Sequence, residues 1–142
     1  MDLSVYLDTS LPVPLFAADA LADRAEAWLE AGPGGLVVSD LAEAEFVAAI
    51  GAKARSRILL AAEAQAALDN FPAWTAMACR RVLLAPEDLA RATGWMRRFD
   101  LNLRTPDALH LALAARLELA VATFDQGMVR AAQALGLPLA LP

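Results

Sequence analysis

Four carboxylates, Asp8, Glu45, Asp107 and Asp125, stand where an open parallel α/β sheet would present its carboxyl-end crevice. Their chemistry is that of a divalent-cation site able to hydrolyse a phosphodiester. Asp8 closes the apolar run Val5-Tyr6-Leu7, and Asp125 follows Leu119-Ala120-Val121-Ala122 through Thr123 and Phe124. Both therefore leave predicted strands at their C-terminal ends, where such sheets bind ligands. An all-carboxylate donor set without a Cys and His cluster suits hard, oxygen-preferring Mg²⁺ or Mn²⁺ and argues against zinc.

Each acid also has a plain structural use. Thr105-Pro106-Asp107 is a preferred helix opening, with Thr as N-cap, Pro at the first helical position and Asp at the positive end of the dipole. An acid there still points out of the carboxyl end of the sheet. Asp125 could equally cap the helix that follows it, and Asp8 could form a turn before Thr9-Ser10, although a buried carboxylate there is costly without a partner. Glu43 and Glu45 share a helix, and two residues apart they point about 200° away from each other, so at most one faces the crevice. Glu43 lies three after Asp40, a capping spacing. Glu45 sits among Ala44, Phe46, Ala48 and Ala49, where an unpaired charge is expensive and a cation would resolve the cost. His110, the only histidine, lies one turn after Asp107 on the same face; packing is its simplest role, with hydrogen-bond donor, proton shuttle and metal ligand as chemical alternatives.

Strands and helices alternate along the chain. A strand at 4–8 is followed by the proline-marked turn of Pro12 and Pro14 and a helix over about 15–31, stopped by Gly32-Pro33-Gly34-Gly35. Leu36-Val37-Val38 reads as a buried strand running to Ser39, followed by a helix over 40–52. A helix over 56–70, limited by Pro72, precedes a third strand at Arg81-Val82-Leu83-Leu84. Helices over 86–100 and 105–118 follow, then a strand at 120–123, a helix over 126–135 stopped by Gly136, and an edge strand at 137–141 containing Pro138. This pattern predicts one α/β domain over residues 1–142, with a mostly parallel five-stranded sheet of order 3-2-1-4-5 and helices on both faces. With strand 1 central, Asp8 and Asp125 face each other across the point where the strand order reverses.

The composition agrees with such a domain. The chain has 142 residues, a hydrophobic content of 58% and a single cysteine, Cys79, read as a small buried residue in a reducing cytoplasm. No apolar run approaches the ~18 residues a membrane span needs, and no basic segment precedes the first apolar stretch as in a secretory signal. A net charge of −5 is unfavourable for a polyanion partner, so distribution matters. Lys53, Arg55 and Arg57 cluster, Arg80 and Arg81 pair, and Arg97, Arg98 and Arg104 precede Asp107; each also fits as a solvated helix-end charge. Trp28, Trp74, Trp95 and Phe99 read as core or interface rather than base-stacking platforms.

Taken together, Val5-Tyr6-Leu7-Asp8-Thr9-Ser10, Ser39 with Glu45 six residues on, Thr105-Pro106-Asp107-Ala108-Leu109-His110-Leu111-Ala112 and Ala122-Thr123-Phe124-Asp125 resemble the four acidic blocks of the PIN-domain family, most of all its VapC-type toxins. The match spans nearly the whole chain in the same order. The resemblance implies a Mg²⁺- or Mn²⁺-dependent endoribonuclease of a bacterial type II toxin-antitoxin pair, held in check by a cognate antitoxin, cytoplasmic and commonly a homodimer. Asp8, Glu45, Asp107 and Asp125 would be its catalytic and metal-site residues, with Thr9, Ser10 and Thr123 as supporting hydroxyls. A catalytically silent PIN-like binding module is the alternative. An aspartyl phosphatase of the haloacid dehalogenase type would need an acid where Ser10 stands, and a receiver domain would need a lysine after the last strands, whereas the sole lysine is Lys53.

Overall fold

A computed structural model describes residues 3–17 and 19–142. Its sheet is built from β1 (Val5–Leu7), β2 (Leu36–Ser39), β3 (Cys79–Val82) and β4 (Ala120–Ala122), all parallel, in the order β3-β2-β1-β4. The helices are α1 (Pro12–Phe16), α2 (Ala22–Glu30), α3 (Asp40–Arg55), α4 (Ala61–Ala78), α5 (Pro86–Met96), α6 (Thr105–Arg116) and α7 (Gln126–Ala134), with a 3-10 turn at Phe99–Leu101.

Side-chain alternation along the strands divides the core. Tyr6, Val37 and Val121 pack with Leu111 and Leu113 of α6 and Met128, Ala131 and Ala132 of α7. Val5, Leu7 and Ala122 turn to the opposite face and meet Leu11 and Ala25, while Val38 joins Val13 of α1, Phe46 and Ile50 of α3 and Phe71 of α4. Both sheet faces are thus covered, as short parallel strands require. Phe46 and Phe71 stack with centroids 4.0 Å apart, worth about 0.5–1.5 kcal/mol beyond the area they bury. Trp28, Trp74 and Trp95 pack against these clusters, whereas Phe99 is exposed.

The sheet has four strands, not five. Residues 137–141 add only a single bridge, Val121 to Leu139, with Val121 N–H donating to Pro138 O and Ala140 N–H to Val121 O. Pro138 has no N–H to extend the ladder. The third strand begins two residues before the predicted Arg81, because α4 continues to Ala78, and Leu84 leaves the ladder by donating its N–H to Asp40 Oδ1 at 2.7 Å. Pro72 lies inside α4 rather than ending it, since Phe71 and Thr75 on either side are buried and tertiary packing outweighs the lost backbone bond. The single helix expected over 15–31 is two. Pro12 and Pro14 sit at the first and third positions of α1, where backbone N–H groups have no intrahelical acceptor, so prolines start a short helix there instead of preventing one. At the turn before β2, a side chain at Gly34 would meet the Leu3 carbonyl oxygen, and φ there is +115°, so only glycine fits.

Candidate active site

The carboxyl ends of β1, β2 and β4 meet the first turns of α3, α6 and α7 above the sheet. Asp8, one residue past β1, is buried at 5% exposure. Its Oδ2 accepts from Ser10 Oγ at 2.7 Å and from Thr123 Oγ1 at 2.8 Å, so the hydroxyls that follow β1 and β4 fix one oxygen of the central acid. Ser10 Oγ also accepts from Phe124 N at 2.9 Å, tying the β4 loop to the β1 loop.

Glu45 reaches the same place from the second turn of α3. Its Oε1 accepts from Thr9 Oγ1 at 2.8 Å and bonds His110 Nε2. Burial alone would raise the Glu45 carboxyl, but the hydrogen bonds of His110 and the Thr9 hydroxyl and the charge of Arg104 outweigh it and hold the group below its ordinary value. Glu43, on the other side of α3, forms a two-pronged exposed pair with Arg81 at 2.8 and 2.9 Å. The cap of α3 is Ser39, whose Oγ accepts from Ala42 N at 3.0 Å, so Asp40 and Glu43 do not form the expected capping arrangement.

Asp107 stands in the first turn of α6, and the N-cap there is Arg104 rather than Thr105, whose hydroxyl points to Met96 Sδ at 3.7 Å. The Asp107 carboxyl is raised, first by burial and then by the negative charges of Asp125 and Asp8, with Arg104 pulling the other way. Arg104 Nε lies 3.6 Å from Asp107 Oδ2 and is largely exposed. Asp125 caps α7, its Oδ1 accepting from Gly127 N at 2.8 Å and Met128 N at 3.2 Å. The cap and its electrostatic reach to Asp107 coexist.

Among the described residues, Asp8, Glu45 and His110 bring one ligand atom each to within 4.8 Å of one another, and Asp107 and Asp125 add their fields from the adjoining helix starts. Oxygen donors predominate and the negative charge is only partly offset, which is the donor chemistry a hard divalent cation takes. One participant escaped the sequence. Tyr6 reads only as an apolar strand residue, yet its hydroxyl bonds Ser39 Oγ at 2.7 Å and His110 Nδ1 at 2.5 Å. The available signal was a tyrosine in a buried strand, whose O–H must find a partner.

The sequence profile described as the PIN domain matches residues 5–134. The chain belongs to the PIN-domain family. Solved structures similar to this PIN domain include Mycobacterium tuberculosis VapC20, a Sarcin-Ricin loop cleaving toxin, at 18% identity and a TM-score of 0.73, over 97% of this chain and 99% of that one. A toxin-antitoxin complex from Klebsiella pneumoniae matches at 19% identity and a TM-score of 0.59, over 85% and 86%. VapBC2 from Rickettsia felis, bound to a DNA fragment from its promoter, matches at 15% and 0.65, over 97% and 98%. No curated protein sequence matches the chain significantly.

Proposed function

We propose that this PIN domain is a Mg²⁺- or Mn²⁺-dependent endoribonuclease of the VapC type, the toxin of a bacterial toxin-antitoxin pair. The observation that carries the reading is the approach of Asp8 and Glu45 at the sheet's carboxyl edge, close enough to share an ion, beside an Asp107 whose carboxyl is raised by burial and by the charges of Asp125 and Asp8. Residues Asp8, Glu45, Asp107 and Asp125 would hold the ion. A bound divalent cation would make the attacking water more acidic and offset the charge that develops on the phosphate.

The chain's own groups do the positioning. Ser10 and Thr123 hold Asp8 Oδ2, and Thr9 and His110 hold Glu45 Oε1, so neither carboxylate must reorganise when substrate arrives. Arg104 at the mouth offers a guanidinium to a phosphate of single-stranded or loop RNA. The structural relatives that are toxin-antitoxin assemblies support a cognate antitoxin as partner. A homodimer in the cytoplasm completes the reading, and no helix among the described residues is long and apolar enough to cross a membrane.

The test is incubation of the purified chain with labelled RNA and DNA in Mn²⁺ or in chelator. Endonucleolytic products from RNA in Mn²⁺ alone are expected. Metal-dependent RNA binding without cleavage would favour the silent binding module.

A further inference from the structure

The imidazole of His110 is fully buried, with Tyr6 OH at Nδ1 and Glu45 Oε1 at Nε2, where Thr9 Oγ1 also lies at a longer 3.4 Å. Behind Tyr6 lies Ser39, also fully buried, whose Oγ already accepts the Ala42 N–H that caps α3. Proton accounting along this line has one solution. The hydrogen of the Ser39 hydroxyl needs an acceptor, and among the described residues that acceptor is the Tyr6 oxygen. Tyr6 therefore donates its own hydrogen onward to Nδ1, and a ring that accepts at Nδ1 carries its proton on Nε2, facing the Glu45 carboxylate, which can only accept. Burial, the largest influence on Tyr6, pushes its hydroxyl well above the ordinary tyrosine value and keeps it a donor.

The opposite arrangement, which a metal ligand at Nε2 would require, puts the proton on Nδ1. Tyr6 would then donate to Ser39, leaving the Ser39 hydrogen buried without an acceptor, a cost native interiors avoid.

We propose that His110 is a positioning residue rather than a metal ligand: the one-way relay Ser39 to Tyr6 to His110 fixes its proton on Nε2, and that proton orients the Glu45 carboxylate for phosphodiester cleavage. The catalytic part rests on the nuclease reading above. Glu45 Oε1 is then held by two donors, His110 Nε2–H and Thr9 O–H, which sets the direction of its second oxygen. Neighbouring Asp8 Oδ1 lies 3.5 Å from Nε2, too long to compete for the same proton.

Because His110 is the only histidine, a tag-free ¹⁵N-labelled chain needs no assignment for long-range ¹H–¹⁵N spectra. The metal-free protein and the protein in Mg²⁺ should both show the ring proton on Nε2, and Tyr6→Phe should mix in the other tautomer. With Mn²⁺ and labelled RNA stem–loops, His110→Leu should lower kcat about 10–100-fold while KM for RNA moves less than about threefold, and His110→Gln, which brings an amide N–H toward Glu45, should recover part of the loss. Should His110→Leu fail to fold, Tyr6→Phe carries the rate test with a loss of about 3–10-fold. A proton on Nδ1 in the wild type, or a folded His110→Leu with wild-type kcat, overturns the proposal. A wild type that never cleaves RNA sinks the nuclease reading instead, and the spectrum still decides the relay.

Discussion

Replacing Asp8 by Asn and by Ala separates its charge from its role as an acceptor. The Asp8 Oδ2 atom receives two hydroxyl bonds, from Ser10 at 2.7 Å and Thr123 at 2.8 Å, in a residue only 5% exposed. Bonds to a charged acceptor contribute about 1.5–3 kcal/mol each, and the ones lost in Asp8→Ala are partly offset by relief of repulsion from Glu45 and Asp107, so a net loss of roughly 2–4 kcal/mol is expected. For a domain of this size that corresponds to a fall of roughly 10 °C in thermal midpoint. Asp8→Asn keeps an acceptor oxygen where Oδ2 stands and removes the charge that Glu45 and Asp107 repel, so its midpoint should stay within about 3 °C of the wild type. Both variants should lose Mn²⁺-stimulated cleavage. Calorimetric melting and cleavage of the same RNA read the two effects side by side. An Asn variant that melts as early as the Ala variant, or one that still cleaves, would refute the reasoning.

The two glutamates of α3 should behave differently: Glu45→Gln should lose most activity, whereas Glu43→Gln breaks only the exposed pair with Arg81 and should keep it, with a stability change under about 1 kcal/mol, and equal effects would mean the face is misread. Asp107 holds its proton to higher pH in the folded chain than in the unfolded one, so it contributes stability that is present below the ordinary value of 3.8 and lost as pH rises through its raised value. Metal-free Asp107→Asn should therefore gain stability relative to wild type as pH rises above the ordinary value of 3.8 in paired denaturant titrations, and a flat difference would count against it. Glu45, held below its ordinary value of 4.5, acts in the opposite sense: its contribution is lost as pH falls through the lowered value. Arg104→Gln removes a cation 3.6 Å from Asp107, so Mn²⁺ affinity should rise a few-fold while the salt slope of RNA binding drops by about 0.7; an unchanged slope would exclude a phosphate contact.

What the sequence disclosed follows from how local the signals are. That Asp8 and Asp125 follow strands at the sheet's carboxyl edge was legible from the apolar runs before them, and that Glu45 rather than Glu43 turns toward Thr9 was legible from its apolar neighbours on the helix. The order of the four strands followed from alternation with helices, and Gly136 does end α7, with a φ of +69°. The errors lie where distant contacts decide. Pro72 is carried within α4 because Phe71 stacks on Phe46 from another helix, and Glu43 finds Arg81 38 residues away. Tyr6 and His110 meet across 104 residues, so no spacing rule links them. The fifth strand failed for a local reason the proline already indicated.

The central claim is that the crevice acids hold a divalent cation that drives RNA cleavage, and the most direct measurement is cleavage rate against free Mn²⁺ concentration, run beside the thermal midpoint of the same samples. Binding to the folded state alone stabilises it by about 2.7 kcal/mol at a free concentration of ~100 times the dissociation constant. The account predicts one saturable curve for both readouts with a shared midpoint, both lost in the variant carrying Asp8→Asn and Asp107→Asn together. Cleavage that is unchanged by chelator, or a double variant that responds to Mn²⁺ as the wild type does, would contradict it.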